Sequence, residues 1–323
     1  MITLRYDLRC PDFAETDHAE MYATMLDQCQ YGDEHGFTGV TLSEHHGVDD
    51  GFCSSPLTVA AAVAGRTKNV MISISALLVP LHDPLRLAED IAALDLLSGG
   101  RTVVIAALGY RDEEFEMFGA DRSTRGRDLE EAIAVMRQAW TGEPFEYRGR
   151  TARVTPRPLT QPHPLLMVGG SVPASAKRAA RLGLPLMLAV GDQELADLYY
   201  AEAEAAGLEN PFAMVPTGPG FVHVTEDPER TWAQLERHAL FDAETYASWQ
   251  KPDQRSSWQV EASDLDELKA SGQYRVVTPD ECVELIAEHG TAVLHPLMGG
   301  MSPELGWESV RLTAEEVLPR VGS

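Results

Sequence analysis

The chain has 323 residues, of which 44% are hydrophobic and 24% charged, and its formal net charge is −24. This length suits one (β/α)8 barrel of roughly 250 residues with insertions, or two ordinary domains. No run approaches the roughly 18 consecutive apolar residues of a membrane span, and the negative charge repels a polyanion, so neither a membrane nor a nucleic acid is an expected partner. The N-terminus does not resemble a secretory signal, and we expect a cytoplasmic protein.

The first half of the chain alternates short β-branched runs with amphipathic helical patterns. Strand-like runs cover residues 2–8, 38–42, 70–79 and 102–108. Helical patterns cover residues 20–35, 56–66, 85–97 and 129–140. Asp83-Pro84 offers a helix cap followed by a first-turn proline, and Gly99-Gly100 is a typical helix end. This alternation predicts a parallel sheet whose strands are joined by helices.

The second half of the chain continues the alternation. Strand-like runs cover residues 165–168, 186–190, 212–224 and 291–294. Helical patterns cover residues 174–182, 194–206 and 228–247, and two more helices begin at the capping sequences that start with Thr278 and Ser302. Counting 291–294 as the last strand gives eight strands. The sequence therefore predicts an α/β fold, a (β/α)8 TIM barrel, in one domain over residues 1–323.

Three segments interrupt this pattern and are predicted to be insertions. Residues 110–121 are polar and dotted with aromatic side chains, residues 144–156 resemble a small hairpin, and residues 250–275 are charged with weak periodicity. Long loops in a compact domain commonly carry function. The stretch 250–274 is therefore the best candidate for a lid that excludes water from an active site.

The catalytic site of such a barrel lies at the C-terminal ends of its strands. Glu44-His45-His46 follows the second predicted strand, and two imidazoles beside a carboxylate favour general acid–base chemistry over a histidine that only completes hydrogen bonds. Consecutive strand residues point to opposite sides, so His45 and His46 are not expected to chelate one metal ion. No metal site is predicted.

The turn Gly169-Gly170-Ser171 precedes a predicted helix. Backbone N–H groups at a helix N-terminus bind anions, so this turn could hold a phosphate, although the same residues also suit a plain strand-to-helix turn. Arginines near the 110–121 insertion could reach the same anion or could lie on a solvated face. They are Arg111, Arg122, Arg125 and Arg127.

Several common nucleotide and metal motifs are missing from the sequence. No G-x-G-x-x-G follows the first strand, so a Rossmann nicotinamide site is not supported. The sequence also has no Walker A loop. The first strand does not end in the His-x-His that is common in metal-dependent barrel hydrolases.

The ordered motifs of this chain resemble those of the bacterial luciferase-like flavin monooxygenases and their relatives that use deazaflavin F420. The resemblance extends over most of the sequence. It is carried by Gly36-Phe37, Leu42-Ser43-Glu44-His45-His46, residues 84–90, residues 94–101, Glu114-Phe115, Phe118-Gly119, Gly169-Gly170-Ser171, Gly183-Leu184-Pro185 and residues 278–282.

The resemblance implies roles for particular residues. His45 corresponds to the family's catalytic histidine beside the flavin ring, with Glu44 next to it. Ser75-Ala76 corresponds to a cis peptide bond under the flavin. The remaining flavin-binding positions are Tyr110 near the ring and Arg125, Gly169, Gly170 and Ser171 at the phosphate.

Two positions depart from the luciferase pattern. Ala107 stands where the luciferases place a phosphate-binding arginine, and Val190 stands where they place a tryptophan after the sixth strand. Phosphate binding is therefore expected to depend on the glycine-rich turn and on Arg125 or another arginine. Which arginine serves is left open by the sequence.

The function that the resemblance implies is a monooxygenase that uses reduced FMN and O2 to oxygenate a small organic substrate. The missing nicotinamide motif suggests that a separate flavin reductase supplies the reduced flavin, and the family implies a homodimer. Three alternatives stay open: an F420-dependent hydride-transfer oxidoreductase, a non-catalytic flavin-binding partner subunit, and, least favoured, a metal hydrolase barrel.

Overall fold

The computed structural model describes residues 1–251, 255–257 and 259–321. Its β-strands alternate with helices along most of the chain. The strands are β1 (Ile2–Tyr6), β2 (Gly39–Leu42), β3 (Met71–Leu78), β4 (Thr102–Ala107), β5 (Phe145–Tyr147), β6 (Arg150–Ala152), β7 (Leu165–Gly170), β8 (Leu186–Leu188), β9 (Ala213–Met214), β10 (Phe221–Val224), β11 (Tyr274–Val277) and β12 (Ala292–Leu294).

Ten of these strands form one parallel sheet. Their order is β11-β10-β12-β1-β2-β3-β4-β7-β8-β9. The last strand pairs with the first, Ile2 lying opposite Ala292, as a barrel requires. The first four strands follow one another directly, with Thr3 opposite Gly39 and Gly39 opposite Met71.

Helices follow most of the strands and cover the sheet. They are α1 (His18–His35), α2 (Pro56–Arg66), α3 (Pro84–Ser98), α4 (Asp112–Phe118), α5 (Arg125–Ala139), α6 (Pro173–Leu182), α7 (Gln193–Ala205), α8 (Pro228–Ser248), α9 (Leu265–Ala270), α10 (Pro279–His289), α11 (Pro303–Leu312) and α12 (Leu318–Val321). Among the helices described, none combines the length and the apolar character that crossing a membrane would require.

Local capping explains where several helices begin and end. Asp83 accepts hydrogen bonds from the backbone N–H groups of Leu85 and Arg86, and Gly99 ends α3 in the left-handed conformation at φ 67°. Thr278 and Glu281 form a complete capping box at the start of α10. These signals depend only on neighbouring residues, so the sequence predicts them well.

Side chains on β1 show how the strands divide the core from the polar interior of the barrel. Leu4 and Tyr6 are buried, and the Tyr6 hydroxyl donates to Gln28 on α1, so this face of the strand meets the helices. Arg5, at an alternate position, is also buried, and so is Asp7, which directly follows the strand. Arg5 donates to the Tyr246 hydroxyl at 2.9 Å. Because strand residues alternate between faces, the charged pair lies on the side away from α1.

The predicted insertions have more structure than the sequence indicated. The hairpin predicted within residues 144–156 is confirmed as the antiparallel pair β5–β6. Residues 110–121 contain α4, and residues 250–274 contain α9 and the first residue of β11, a strand that was not predicted. The positions 252–254 and 258 of the predicted lid lie outside the described residues.

The run 212–224, predicted as one strand, is divided into β9 and β10. Pro216 and Pro219 lie between the two pieces and have no backbone N–H to donate to a neighbouring strand. The two pieces consequently pair at different places, β9 with β8 and β10 with β11 and β12.

Candidate active site

His45 lies in the loop after β2 and is held by a carboxylate from α4. Its Nδ1 is 2.8 Å from Oε1 of Glu114, and the side chains are only 8% and 0% exposed. The same oxygen accepts the backbone N–H of His46 at 2.9 Å. Because Nδ1 is taken by the carboxylate, Nε2 is the ring nitrogen left for chemistry.

The ionisation of Glu114 is set by opposing effects. Burial raises the pKa of the carboxyl, but the hydrogen bonds from His45 and His46 and the charge of Arg111 lower it more, so the pKa lies below the usual glutamate value. Glu114 is therefore a carboxylate at neutral pH. A buried anion of this kind fixes the orientation of His45 and stabilises a positive charge on its ring.

Aromatic side chains surround the His45 ring. The Tyr110 hydroxyl is 3.3 Å from His45 Nε2. The rings of Phe52 and Trp249 each lie 4.8 Å from the imidazole, centroid to centroid. Burial raises the pKa of Tyr110 far above its ordinary value, so the phenol stays protonated and can donate a hydrogen bond.

Arg111 belongs to this site and not to a solvated face. It is 7% exposed, and its Nη1 donates to the carbonyl oxygen of His46 at 2.8 Å. The guanidinium carbon lies 4.5 Å from the centre of the Trp249 ring, which is a cation–π contact. Arg111 thus joins the loop that carries His45 to the end of α8.

Glu44 does not contact His45 and instead serves two other histidines. Its Oε1 is 2.9 Å from His46 Nε2 and 2.7 Å from His82 Nε2, and its Oε2 accepts the backbone N–H of Leu78 at 2.6 Å. Burial raises the pKa of Glu44, but these hydrogen bonds lower it more, and the resulting pKa is about 2. The carboxylate that binds His45 is therefore Glu114, and not the predicted Glu44.

The strand end next to this cluster has the backbone geometry that the family resemblance implied. The Ser75–Ala76 peptide bond is cis. The pairing between β3 and β4 shifts register between Ser75 and Leu77. Leu78, which donates to Glu44, ends the same strand.

The turn Gly169-Gly170-Ser171 lies at the end of β7 and the start of α6. A side chain at Gly170 would overlap Ser175, so the close approach of strand and helix requires glycine there. Ser175 caps the helix by bonding the backbone of Val172. The positive end of the helix dipole therefore lies beside the turn, an arrangement suited to an anion.

Arg125, which the sequence predicts at the phosphate, and Arg255 lie in different segments of the chain. Arg125 is the first residue of α5, and its Nη1 donates to the carbonyl oxygen of Arg122 at 2.9 Å. Arg255 was not singled out from the sequence. Its backbone N–H donates to the Ser171 hydroxyl oxygen at 3.0 Å, and its guanidinium pairs with Asp192 at 2.9 Å.

The structure thus brings His45 and Tyr110 together, keeps Glu44 in a neighbouring cluster, and leaves the glycine-rich turn on another strand end. Sequence reasoning noted Glu114 only as part of the motif Glu114-Phe115 and gave it no role in the site, and it missed Trp249. Glu114 follows two other acidic residues at the start of α4, and it is the buried one while its neighbour Glu113 is exposed. The motif Glu114-Phe115, whose two residues are both buried, was the available signal.

Comparison with known proteins agrees with this fold. The family model of the luciferase-like monooxygenases matches residues 9–295. The oxygenase component of a flavin-dependent trigonelline monooxygenase from Acinetobacter baylyi is 29% identical over 189 residues, which are 55% of this chain and 52% of that protein. The chain spans about half the length of the first curated relatives that it matches.

Solved structures share the fold over nearly the whole chain. The monooxygenase RslO1 from Streptomyces bottropensis superposes with a TM-score of 0.80 at 25% identity and 98% coverage of both chains. An F420-dependent secondary alcohol dehydrogenase in complex with an F420–acetone adduct has a TM-score of 0.72 at 19% identity, covering 100% of this chain and 99% of that one. The predicted barrel class is confirmed.

The chain belongs to the luciferase-like monooxygenase family, whose members are flavin-dependent oxidoreductases.

Proposed function

We propose that this protein is a monooxygenase that uses reduced FMN and O2 to oxygenate a small organic substrate. The observation that carries the proposal is the buried pair of His45 and Glu114 at a strand end, with Tyr110 at His45 Nε2. Reduced FMN, when bound, supplies the electrons that activate oxygen. His45 then holds or delivers a proton at Nε2, while Glu114 keeps the ring oriented through Nδ1.

The residues present fit a flavin mononucleotide. The glycine-rich turn at the N-terminus of α6 would receive the phosphate, with the hydroxyl of Ser171 and a cation from Arg125 or Arg255. Ser75 and Ala76 would lie against the ring system, and Tyr110 and His45 would face it. The aromatic side chains around His45, with Phe52 buried and Tyr110 and Trp249 half-buried, would limit the access of water to the reacting atoms, which favours oxygen transfer over loss of hydrogen peroxide.

The proposal includes partners. A separate flavin reductase would supply reduced FMN, since the sequence contains no nicotinamide motif and the Acinetobacter relative is described as an oxygenase component. A homodimer is proposed from the family resemblance alone. The chain itself is proposed to form one domain, because the parallel sheet draws strands from residues 2–294.

The test is an anaerobic titration of the purified protein with reduced FMN and with reduced F420, followed by admission of oxygen. We expect reduced FMN to bind and to reoxidise at least roughly tenfold more slowly than free reduced FMN, because the site shields it and His45 controls proton transfer. In His45→Asn the reoxidation should approach that of free flavin, with a higher yield of hydrogen peroxide. His35→Asn, a change at an exposed histidine, is the matched control.

Each alternative has its own outcome. Binding of F420 alone, with a spectrum indifferent to oxygen, would replace the monooxygenase by a hydride-transfer enzyme. Binding of reduced FMN with reoxidation equal to that of free flavin in both wild type and His45→Asn would indicate a non-catalytic flavin-binding subunit. Failure to bind either cofactor would refute the flavin proposal.

A further inference from the structure

Beside the His45 site, three side chains converge that the proposed flavin chemistry does not use. They are Glu44 and His46 from the loop after β2 and His82 from the turn before α3. Their ligand atoms all lie within 4.8 Å of one another. Glu44 and His46 are 0% and 6% exposed at their side chains, whereas His82 is 26% exposed and opens the cluster to solvent on one side.

We propose that Glu44, His46 and His82 form a binding site for a divalent transition-metal ion, with zinc(II) as the best fit. Two imidazole nitrogens and one carboxylate oxygen are a donor set that zinc uses in proteins, with a fourth position open to water. The proposal concerns a structural ion and is independent of flavin binding. It departs from the sequence expectation of no metal site, since His82 comes from a different strand end.

The distances show how little movement an ion would need. Both imidazole Nε2 atoms point at the same oxygen, Glu44 Oε1, at 2.9 and 2.7 Å. Tetrahedral ligands about 2.0–2.1 Å from zinc lie roughly 3.3 Å apart, so each of the two His–Glu44 pairs must open by about half an ångström. The two histidine nitrogens, which lie within 4.8 Å of each other, must come to the same separation. His82 is partly exposed on a turn and can make that adjustment.

The surroundings support a cation at this point. The other oxygen of Glu44 accepts the Leu78 N–H at 2.6 Å, so the carboxylate is held in place by an outer hydrogen bond of the kind that orients metal ligands. As ligands, the two imidazoles are neutral and Glu44 supplies one negative charge. A protein with a net charge of −24 also concentrates cations near its surface.

Occupancy would affect the neighbouring His45 loop. The backbone N–H of His46 donates to Glu114, and the carbonyl of His46 accepts from Arg111. An ion that fixes the His46 ring therefore also restrains the backbone of His46, which is already hydrogen-bonded to Glu114 and Arg111 at the His45 site. We expect bound zinc to stabilise this loop and to raise the melting temperature.

The test uses Co²⁺ as a spectroscopic probe and Zn²⁺ as competitor on the full chain after treatment with EDTA, without flavin. We expect one Co²⁺ per chain with the intense visible bands of a four-coordinate site, displaced by one equivalent of Zn²⁺. His82→Asn should weaken binding at least roughly tenfold, because one of three protein ligands is lost. His35→Asn, which removes an exposed histidine elsewhere, should bind as wild type does.

The zinc-dependent rise in melting temperature should likewise be present in wild type and in His35→Asn and absent from His82→Asn. A crystal of the wild-type protein soaked in zinc tests the site without any substitution. We expect an anomalous difference peak between Glu44, His46 and His82. The proposal is overturned by no binding, by equal binding in wild type and His82→Asn, or by an anomalous peak only at surface carboxylates. All three results leave the flavin titration unaffected, so the two proposals fail separately.

Discussion

A single buried carboxylate organises the residues around His45. Oε1 of Glu114 lies 2.8 Å from His45 Nδ1, 2.9 Å from the N–H of His46 and 3.4 Å from Arg111 Nη1. If Glu114 loses its charge, the buried Arg111 cation no longer has a carboxylate beside it. Its other described partners are the carbonyl oxygen of His46 and the ring of Trp249. Such a change costs more than the loss of one neutral hydrogen bond.

Glu114→Gln should therefore impair both chemistry and stability. We expect the shielded reoxidation of bound reduced FMN to be lost, with a rate change of at least roughly tenfold, because His45 is no longer oriented by a charged acceptor. The melting curve should shift by the equivalent of about 1–3 kcal/mol. Glu113→Gln, at the exposed neighbouring position, is the control, and equal behaviour of the two variants would contradict the assigned role of Glu114.

At the scale of elements, the junction between β7 and α6 is the tightest feature of the proposed phosphate site. Gly170 packs directly against Ser175, whose hydroxyl accepts from Val172 N–H at 3.2 Å and donates to Val172 carbonyl at 2.6 Å. A methyl group at Gly170 has to displace the first turn of α6. Both the helix cap and the N–H groups next to it would then move.

Gly170→Ala is expected to lower the free energy of unfolding by about 1–3 kcal/mol through overpacking and to weaken binding of reduced FMN. Gly65→Ala in α2 is a suitable control, since an added methyl meets nothing within 4 Å and alanine favours a helix. Denaturant unfolding and flavin titration would be measured on both variants. If Gly170→Ala binds flavin and unfolds as Gly65→Ala does, the turn does not have the proposed role.

Across the whole molecule, buried charges join distant parts of the chain inside the barrel. The Arg9 guanidinium is 0% exposed and pairs with Asp50 at 2.8 Å and with Asp242 on α8 at 2.9 Å. These contacts connect the first strand region to segments 41 and 233 residues away. His223 on β10 is 1% exposed, and its Nε2 has no hydrogen-bond partner among the described residues.

His223 makes the fold sensitive to acid. Burial lowers its pKa from 6.5 to about 3, so the native state binds this proton less readily than the unfolded chain. This difference in proton binding contributes to the free energy of unfolding. The contribution is fully present above pH 6.5 and is lost as the pH falls toward 3, by up to about 1.4 kcal/mol per pH unit.

The variant His223→Leu should remove this component of the acid sensitivity. Denaturant unfolding at pH 7, 6 and 5 would show a shallower fall in the free energy of unfolding for His223→Leu than for wild type. His35→Leu, at an exposed position, should retain the wild-type slope. An identical slope in wild type and His223→Leu would show that protonation of His223 does not contribute.

Much of the architecture was predictable because its signals lie within a few residues of one another in the sequence. The cap at Asp83, the capping box at Thr278 and the hairpin near residue 147 depend on residues a few positions apart. The division of residues 212–224 was missed because the apolar pattern continues across two prolines whose effect depends on the strands that pair on either side.

The sequence by itself determined the order of most strands and helices, the strand ends where polar residues collect, and the position of His45. Only the tertiary structure decided which carboxylate reaches which histidine. Glu114 lies 69 residues from His45, and His82 lies 38 residues from Glu44, which is two positions from His46. Beyond a strand end the alternation of side chains stops, so these pairings depend on how the loops pack in three dimensions.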